Sequence, residues 1–85
     1  MTKYAFITGA SRGIGAAIAE ELAKTGYHLY LTCKNSEQQL RNFAAHLEKT
    51  YGVSCTCFIG DIGDYSFVSE CFSSIHSLDV LVNNA

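Results

Sequence analysis

The residues best placed to do chemistry lie together near the start of the chain, Thr8-Gly9-Ala10-Ser11-Arg12-Gly13-Ile14-Gly15. A β-prone run, Lys3 to Thr8, leads into them, and an amphipathic stretch from Gly13 to Thr25 leads away. In that setting Gly9 permits a tight turn, and Gly13 lets the backbone come close to a ligand. Gly15 lets the helix pack tightly on the strand. The uncovered N–H groups and the positive end of the helix dipole then suit a pyrophosphate. Alone, such a loop is an ordinary strand-to-helix turn; the strand before it and the helix after it make it a nucleotide site. No Gly-Lys-Ser/Thr follows, which excludes a P-loop. The spacing Gly-x-x-x-Gly-x-Gly also differs from the Gly-x-Gly-x-x-Gly of the long-chain dinucleotide enzymes.

The elements that must hold this loop alternate along the chain. The first helix is expected over Gly13 to Thr25, with Ile14, Ala17, Ile18 and Leu22 as its buried stripe and Gly26 as its stop. Tyr27 to Cys33 forms the second strand, with Tyr27, Leu29, Leu31 and Cys33 on one face. A second helix opens at Ser36, where Ser36 and Gln39 are expected to form a capping box. Leu40, Phe43, Ala44, Leu47 and Tyr51 carry its apolar stripe up to Gly52. Val53 to Phe58 is the third strand, and Asp64 caps a third helix bearing Val68, Cys71, Phe72 and Ile75. Asp79 to Val82 is the fourth strand. Strand and helix in strict alternation predict an α/β fold with a parallel sheet, right-handed crossovers and helices on both faces. With the fourth strand on the far side of the first, residues 1–85 form the N-terminal half of a doubly wound sheet, an incomplete Rossmann domain with no internal boundary.

Composition narrows the function classes. Apolar residues make up 48% of the 85 and charged residues 16%, too apolar for a disordered chain. The longest apolar runs, such as Tyr4 to Ile7, fall far short of the ~20 residues that cross a bilayer, and no secretory h-region follows Lys3. A net charge of −2 lacks the basic face a nucleic-acid partner needs. Cys33, Cys55, Cys57 and Cys71 are expected to be reduced and buried, since no pair has metal or redox spacing, and His28, His46 and His76 are scattered.

Thr-Gly-x-x-x-Gly-Ile-Gly resembles the cofactor loop of the short-chain dehydrogenase/reductases, and further features agree. Asp61, after the third strand, matches that family's acidic residue, which contacts the adenine ring; Ile62 follows it. Asn83-Asn84-Ala85 matches the first three letters of its Asn-Asn-Ala-Gly motif, whose asparagines tie the fourth strand to its neighbours and line the adenosine pocket. The resemblance runs the length of the chain and is greatest to 3-oxoacyl-acyl-carrier-protein reductases. It implies a cofactor site made by Gly9, Ser11, Arg12, Gly13, Ile14, Gly15, Lys34, Asp61, Ile62, Asn83, Asn84 and Ala85.

NAD enzymes place a carboxylate at the end of the second strand to bind the ribose 2′-hydroxyl. The corresponding residue here is the neutral Cys33, followed by Lys34 where NADP-preferring members often carry a base. Arg12 is a second cation within reach, so NADP(H) is expected over NAD(H) through charge-assisted contacts with the 2′-phosphate. The resemblance implies hydride transfer between nicotinamide and a ketone or alcohol. That family's chemistry rests on a serine, a Tyr-x-x-x-Lys pair and a helix-borne asparagine, all expected beyond Ala85. Tyr4, Tyr27, Tyr30, Tyr51 and Tyr65 are given no such role, so no catalytic residue is assigned and the chain alone is expected to be inactive. Three readings follow: a reductase of 3-oxoacyl thioesters, a reductase of another carbonyl such as a sugar, steroid or quinone, or a non-catalytic nucleotide sensor. A cytoplasmic homo-oligomer without membrane or nucleic-acid partners completes what the resemblance implies.

Overall fold

A computed structural model describes residues 2–84. Its elements run β1 (Tyr4–Ile7), α1 (Gly13–Lys24), β2 (His28–Cys33), α2 (Glu37–Tyr51), β3 (Cys55–Ile59), α3 (Tyr65–Ser73) and β4 (Val80–Val82). All strand pairs are parallel, and the sheet order is β3-β2-β1-β4. The fourth strand thus pairs with the first on its far side, as the doubly wound order expected, and the strand order reverses between β1 and β4. Register brings Ile7 beside Leu31 and Val82, and Cys33 beside Ile59. The carboxyl ends of all four strands therefore share one rim, where open α/β sheets bind ligands.

The two faces are packed differently. Ala5, Ile7, Leu29, Leu31 and Cys33 point to the side covered by α1 and α2, which contribute Ala19, Ala23, Leu40, Ala44 and Leu47. Each leucine buried there adds about 1.5–3 kcal/mol through loss of apolar surface to water. The opposite face is aromatic: Tyr4 stacks on Tyr30, Tyr30 on Phe58, and Phe6 on both Phe58 and Phe72 of α3. Ends of β1 and β4 are pinned by Asp79, whose carboxylate accepts the Tyr4 N–H at 2.9 Å while its own N–H donates to the Tyr4 carbonyl at 2.8 Å. Among the described residues no helix is long and apolar enough to cross a membrane.

Five local expectations are corrected. The fully buried residues of α1 are Gly15, Ala19 and Ala23; of the expected stripe Leu22 packs against the core and Ile18 is half-buried, whereas Ile14 is 71% exposed and Ala17 faces water. At Gly15 a larger residue would strike the Gly9 carbonyl, because the start of α1 lies against the β1 loop. Ser36 makes no capping bond; its hydroxyl donates instead to the Ser11 Oγ at 2.7 Å, so no capping box forms with Gln39. Strand β3 begins at Cys55 rather than Val53, and α3 ends at Ser73, before Ile75. Cys33 and Cys71 are buried, but Cys55 and Cys57 are only half so, because β3 is an edge strand that α2 covers in part. The predicted cap on α3 is present: the Asp64 carboxylate accepts the Ser66 N–H at 2.9 Å.

Candidate functional site

At the shared rim, the loop after β1 is fastened on two sides. On the β4 side, the Thr8 N–H donates to the Val82 carbonyl at 3.1 Å, and the Asn84 N–H donates to Thr8 Oγ1 at 2.8 Å. The Asn84 side-chain amide donates to the Gly9 carbonyl at 3.3 Å. On the β2 side, the Ala10 N–H donates to the Thr32 carbonyl at 3.0 Å. With the loop so held, α1 begins at Gly13, whose φ of +64° an L side chain rarely adopts. A methyl group on Gly15 would run into the Gly9 carbonyl, so only glycine allows this approach of helix to strand.

The first turn of α1 is uncapped. Arg12 occupies the cap position in extended conformation without a side-chain bond to the helix, and no acidic residue lies in the first turn. The leading N–H groups therefore have no acceptor among the described residues and stand as donors at the positive end of the helix, the arrangement that attracts anions. Arg12 is exposed and pairs with no carboxylate among the described residues. Ser11 leans toward Ser36 through their hydroxyls, and Ile14 projects into solvent beside the loop.

Next to this turn is a cleft of about 250 Å³ lined by Gly9, Thr32, Cys33, Lys34, Gly60, Asp61, Ile62 and Asn84. It joins the ends of β2 and β3 to the glycine loop, bringing together residues far apart in sequence. Cys33 lies at its wall, 4% exposed, and supplies no charge there. Lys34 Nζ stands 3.4 Å from Asp61 Oδ2 across the opening. The Asp61 carboxylate also accepts the Gly63 N–H at 2.8 Å. That backbone bond first, and Lys34 second, hold its carboxyl below the usual carboxylate range, so it is charged at neutral pH. Asn83 faces away from this cleft, into a neighbouring apolar hollow between Phe6, Phe72 and Leu81, with its Oδ1 accepting from Thr8 Oγ1 at 3.4 Å. Ala85 lies outside the described residues.

Of the residues singled out from sequence, Gly9, Lys34, Asp61, Ile62 and Asn84 meet in one cleft, and Ser11, Arg12, Gly13, Ile14 and Gly15 form the turn beside it. Asn83 does not join them. Sequence reasoning named Thr8 in the loop but gave it no role, though its hydroxyl ties β4 to the loop, and it missed Gly60, where a side chain would collide with the Phe67 ring. It missed Thr32 as well, which is 1% exposed and whose Oγ1 has no partner among the described residues. A glycine closing β3 and threonines closing β1 and β2 were the available clues. One Tyr-x-x-x-Lys spacing was also passed over, Tyr30 to Lys34. It lies on a strand, where four residues span about 13 Å, not on a helix, where they would be neighbours. Tyr30 is packed between aromatic rings while Lys34 reaches Asp61, so the two form no acid/base pair.

Comparison with known proteins agrees with this architecture. Residues 3–85 match the family model described as short chain dehydrogenase. The 3-oxoacyl-acyl-carrier-protein reductase FabG of Staphylococcus aureus is 38% identical over 89 aligned positions, covering 100% of this chain and 36% of that protein. The very-long-chain 3-oxoacyl-CoA reductase of Laccaria bicolor is 41% identical over 85 positions, covering 95% of this chain and 25% of its own length. Among solved structures, L-sorbose reductase from Gluconobacter frateurii, complexed with NADPH and L-sorbose, superposes with a TM-score of 0.89 at 38% identity. That match covers 99% of this chain and 33% of the reductase. The chain thus spans between a quarter and about a third of the length of these relatives. Its four parallel strands, its glycine loop at the β1–β4 reversal and its match along residues 3–85 make it a member of the short-chain dehydrogenase family of oxidoreductases.

Proposed function

We propose that this chain is the NADP(H)-binding part of a reductase that transfers hydride between nicotinamide and a ketone or alcohol, a 3-oxoacyl thioester in the first instance. The observation that carries the reading is the uncapped start of α1 beside a cleft that has Lys34, and no carboxylate, directly after β2. Pyrophosphate fits the donors behind Gly13. The adenosine end fits the cleft, where Asp61 meets the adenine, with Ile62 and Asn84 along its wall. Lys34 and Arg12 are the two cations for a 2′-phosphate; NADP-bearing structures of similar fold support that preference. Lysine offers a point charge rather than the planar fork of arginine, so its hold on phosphate is the looser kind.

Residues 1–85 are on this reading a partial dinucleotide-binding domain, and the serine, tyrosine and lysine of the reaction belong to a part of the protein outside it. The names of two relatives, reductases of 3-oxoacyl-acyl-carrier-protein and 3-oxoacyl-CoA, support the thioester. A sugar ketone is the second reading, favoured by the likeness to L-sorbose reductase. Turnover of an acyl-carrier-protein thioester against L-sorbose and simple ketones separates the two. For the cofactor, Lys34→Asp with Arg12→Ala in the whole protein is expected to lower the NADPH:NADH ratio of kcat/KM at least about tenfold, since charge-assisted contacts are lost and a repulsion is added. An unchanged ratio would remove both residues from the phosphate site.

A further inference from the structure

One of the two cations proposed for the 2′-phosphate is already engaged. Lys34 Nζ and Asp61 Oδ2 lie 3.4 Å apart across the opening of the cleft. The two partners are not equally free. Asp61 is anchored in a tight turn: its carboxylate accepts the Gly63 N–H at 2.8 Å, and its carbonyl accepts the Asp64 N–H at 2.9 Å. Lys34 follows the last residue of β2, and its side chain is 65% exposed on a flexible stem. The pair therefore opens by movement of the lysine, with the carboxylate left in place at the pocket wall.

We propose that Asp61 tempers cofactor choice through Lys34, the ion pair acting as a partner exchange that a 2′-phosphate must open and a 2′-hydroxyl leaves closed. The inference rests on the nucleotide-binding reading above. A ligand with a free 2′-hydroxyl fills the cleft and leaves the pair intact. A 2′-phosphate draws Lys34 away and leaves the Asp61 carboxylate uncompensated beside a dianion, so part of the attraction to the lysine is offset. Arg12, with no carboxylate partner among the described residues, gives its attraction undiminished. Asp61 would thus both receive the adenine and weaken discrimination between the two cofactors, while Lys34 and Arg12 strengthen it.

The test compares adenosine 2′,5′-bisphosphate with adenosine 5′-monophosphate, which differ only in the 2′-phosphate, by calorimetry on the whole protein. Any adenine contact is common to both probes and cancels in the ratio of affinities. Asp61→Asn retains an oxygen for the Gly63 N–H and should raise the bisphosphate:monophosphate ratio about two- to fivefold, the scale of an exposed ion pair. In a Lys34→Met background the same substitution should change the ratio by less than half as much. An Asp61→Asn ratio that is unchanged or lower, or that rises equally in both backgrounds, overturns the exchange. A second measurement needs no variant: carbon-detected titration of Asp61 should give a higher pKa with the bisphosphate bound than with the monophosphate. Equal values overturn the inference. If the unmodified protein binds neither probe, the nucleotide-binding reading falls and this one with it; if it binds both and the Asp61 measurements fail, only the exchange is lost.

Discussion

Gly15→Ala sets local helix preference against tertiary packing. In the interior of an exposed helix, alanine is better than glycine by about 1 kcal/mol. Gly15, in the first turn of α1, is buried, and a Cβ there would strike the Gly9 carbonyl oxygen. It would also lie 2.6 Å from the Asn84 Nδ2 and 3.0 Å from the Gly9 carbonyl carbon. The Gly9 atoms are backbone, and the Asn84 amide is hydrogen-bonded to that same carbonyl at 3.3 Å, so neither neighbour can give way without loss. Overpacking of this kind costs about 1–3 kcal/mol, and losing the Asn84–Gly9 hydrogen bond costs about 1 more. Set against the helix gain, the variant should be less stable by about 1–3 kcal/mol. In urea the transition midpoint of the whole protein should fall with no change in its slope. Gly13→Ala is the control: among the described residues a Cβ there would meet nothing within 4 Å beyond its chain neighbours and its own helix backbone, so its cost comes from the φ of +64°, about 1–2 kcal/mol. Displacement of α1 should also weaken binding of adenosine 2′,5′-bisphosphate in the Gly15 variant. A Gly15→Ala protein as stable as the parent, or more so, would show that α1 does not lie this close to the β1 loop.

Thr32→Val replaces a buried hydroxyl that has no partner among the described residues by a methyl group of nearly the same shape, and should raise stability by about 1 kcal/mol in urea unfolding; a loss of that size would mean the hydroxyl is satisfied in solution. Burial first, then Glu48 and Cys57, push the Cys55 thiol up to about 12, so that at pH 8 only about one molecule in ten thousand carries the thiolate and an aromatic disulfide reagent should label it only after unfolding. Because the folded-state value lies above the ordinary 9.0, the stability linked to Cys55 is whole below pH 9 and is lost as pH rises through about 12. Cys55→Ala should flatten the alkaline fall in the urea midpoint; an equal fall with and without the thiol would assign it to other groups.

Alternation of strand and helix, the glycine loop between the first pair and the apolar stripe of α2 were all legible along the chain, because each is a local pattern with a period of its own. Strand order followed too, since short right-handed crossovers leave few arrangements for such a sequence. The sheet-facing side of α1 was not legible. Of the expected stripe, Leu22 packs against the core and Ile18 is half-buried, but Ile14 and Ala17 face water. The fully buried positions are Gly15, Ala19 and Ala23, with Gly15 lying against the Gly9 carbonyl. Ser36 had every local feature of a cap, yet Ser11 of the glycine loop takes its hydroxyl. The amino acids at Lys34, Asp61 and Asn84 were identified from the sequence as candidates, but nothing in their spacing says that Lys34 pairs with Asp61, or that Asn84 holds Gly9 while Asn83 turns to another hollow. These partners come from the ends of different strands, and only the parallel register, which aligns Ile7, Cys33, Ile59 and Val82 along one rim, brings them within reach of each other.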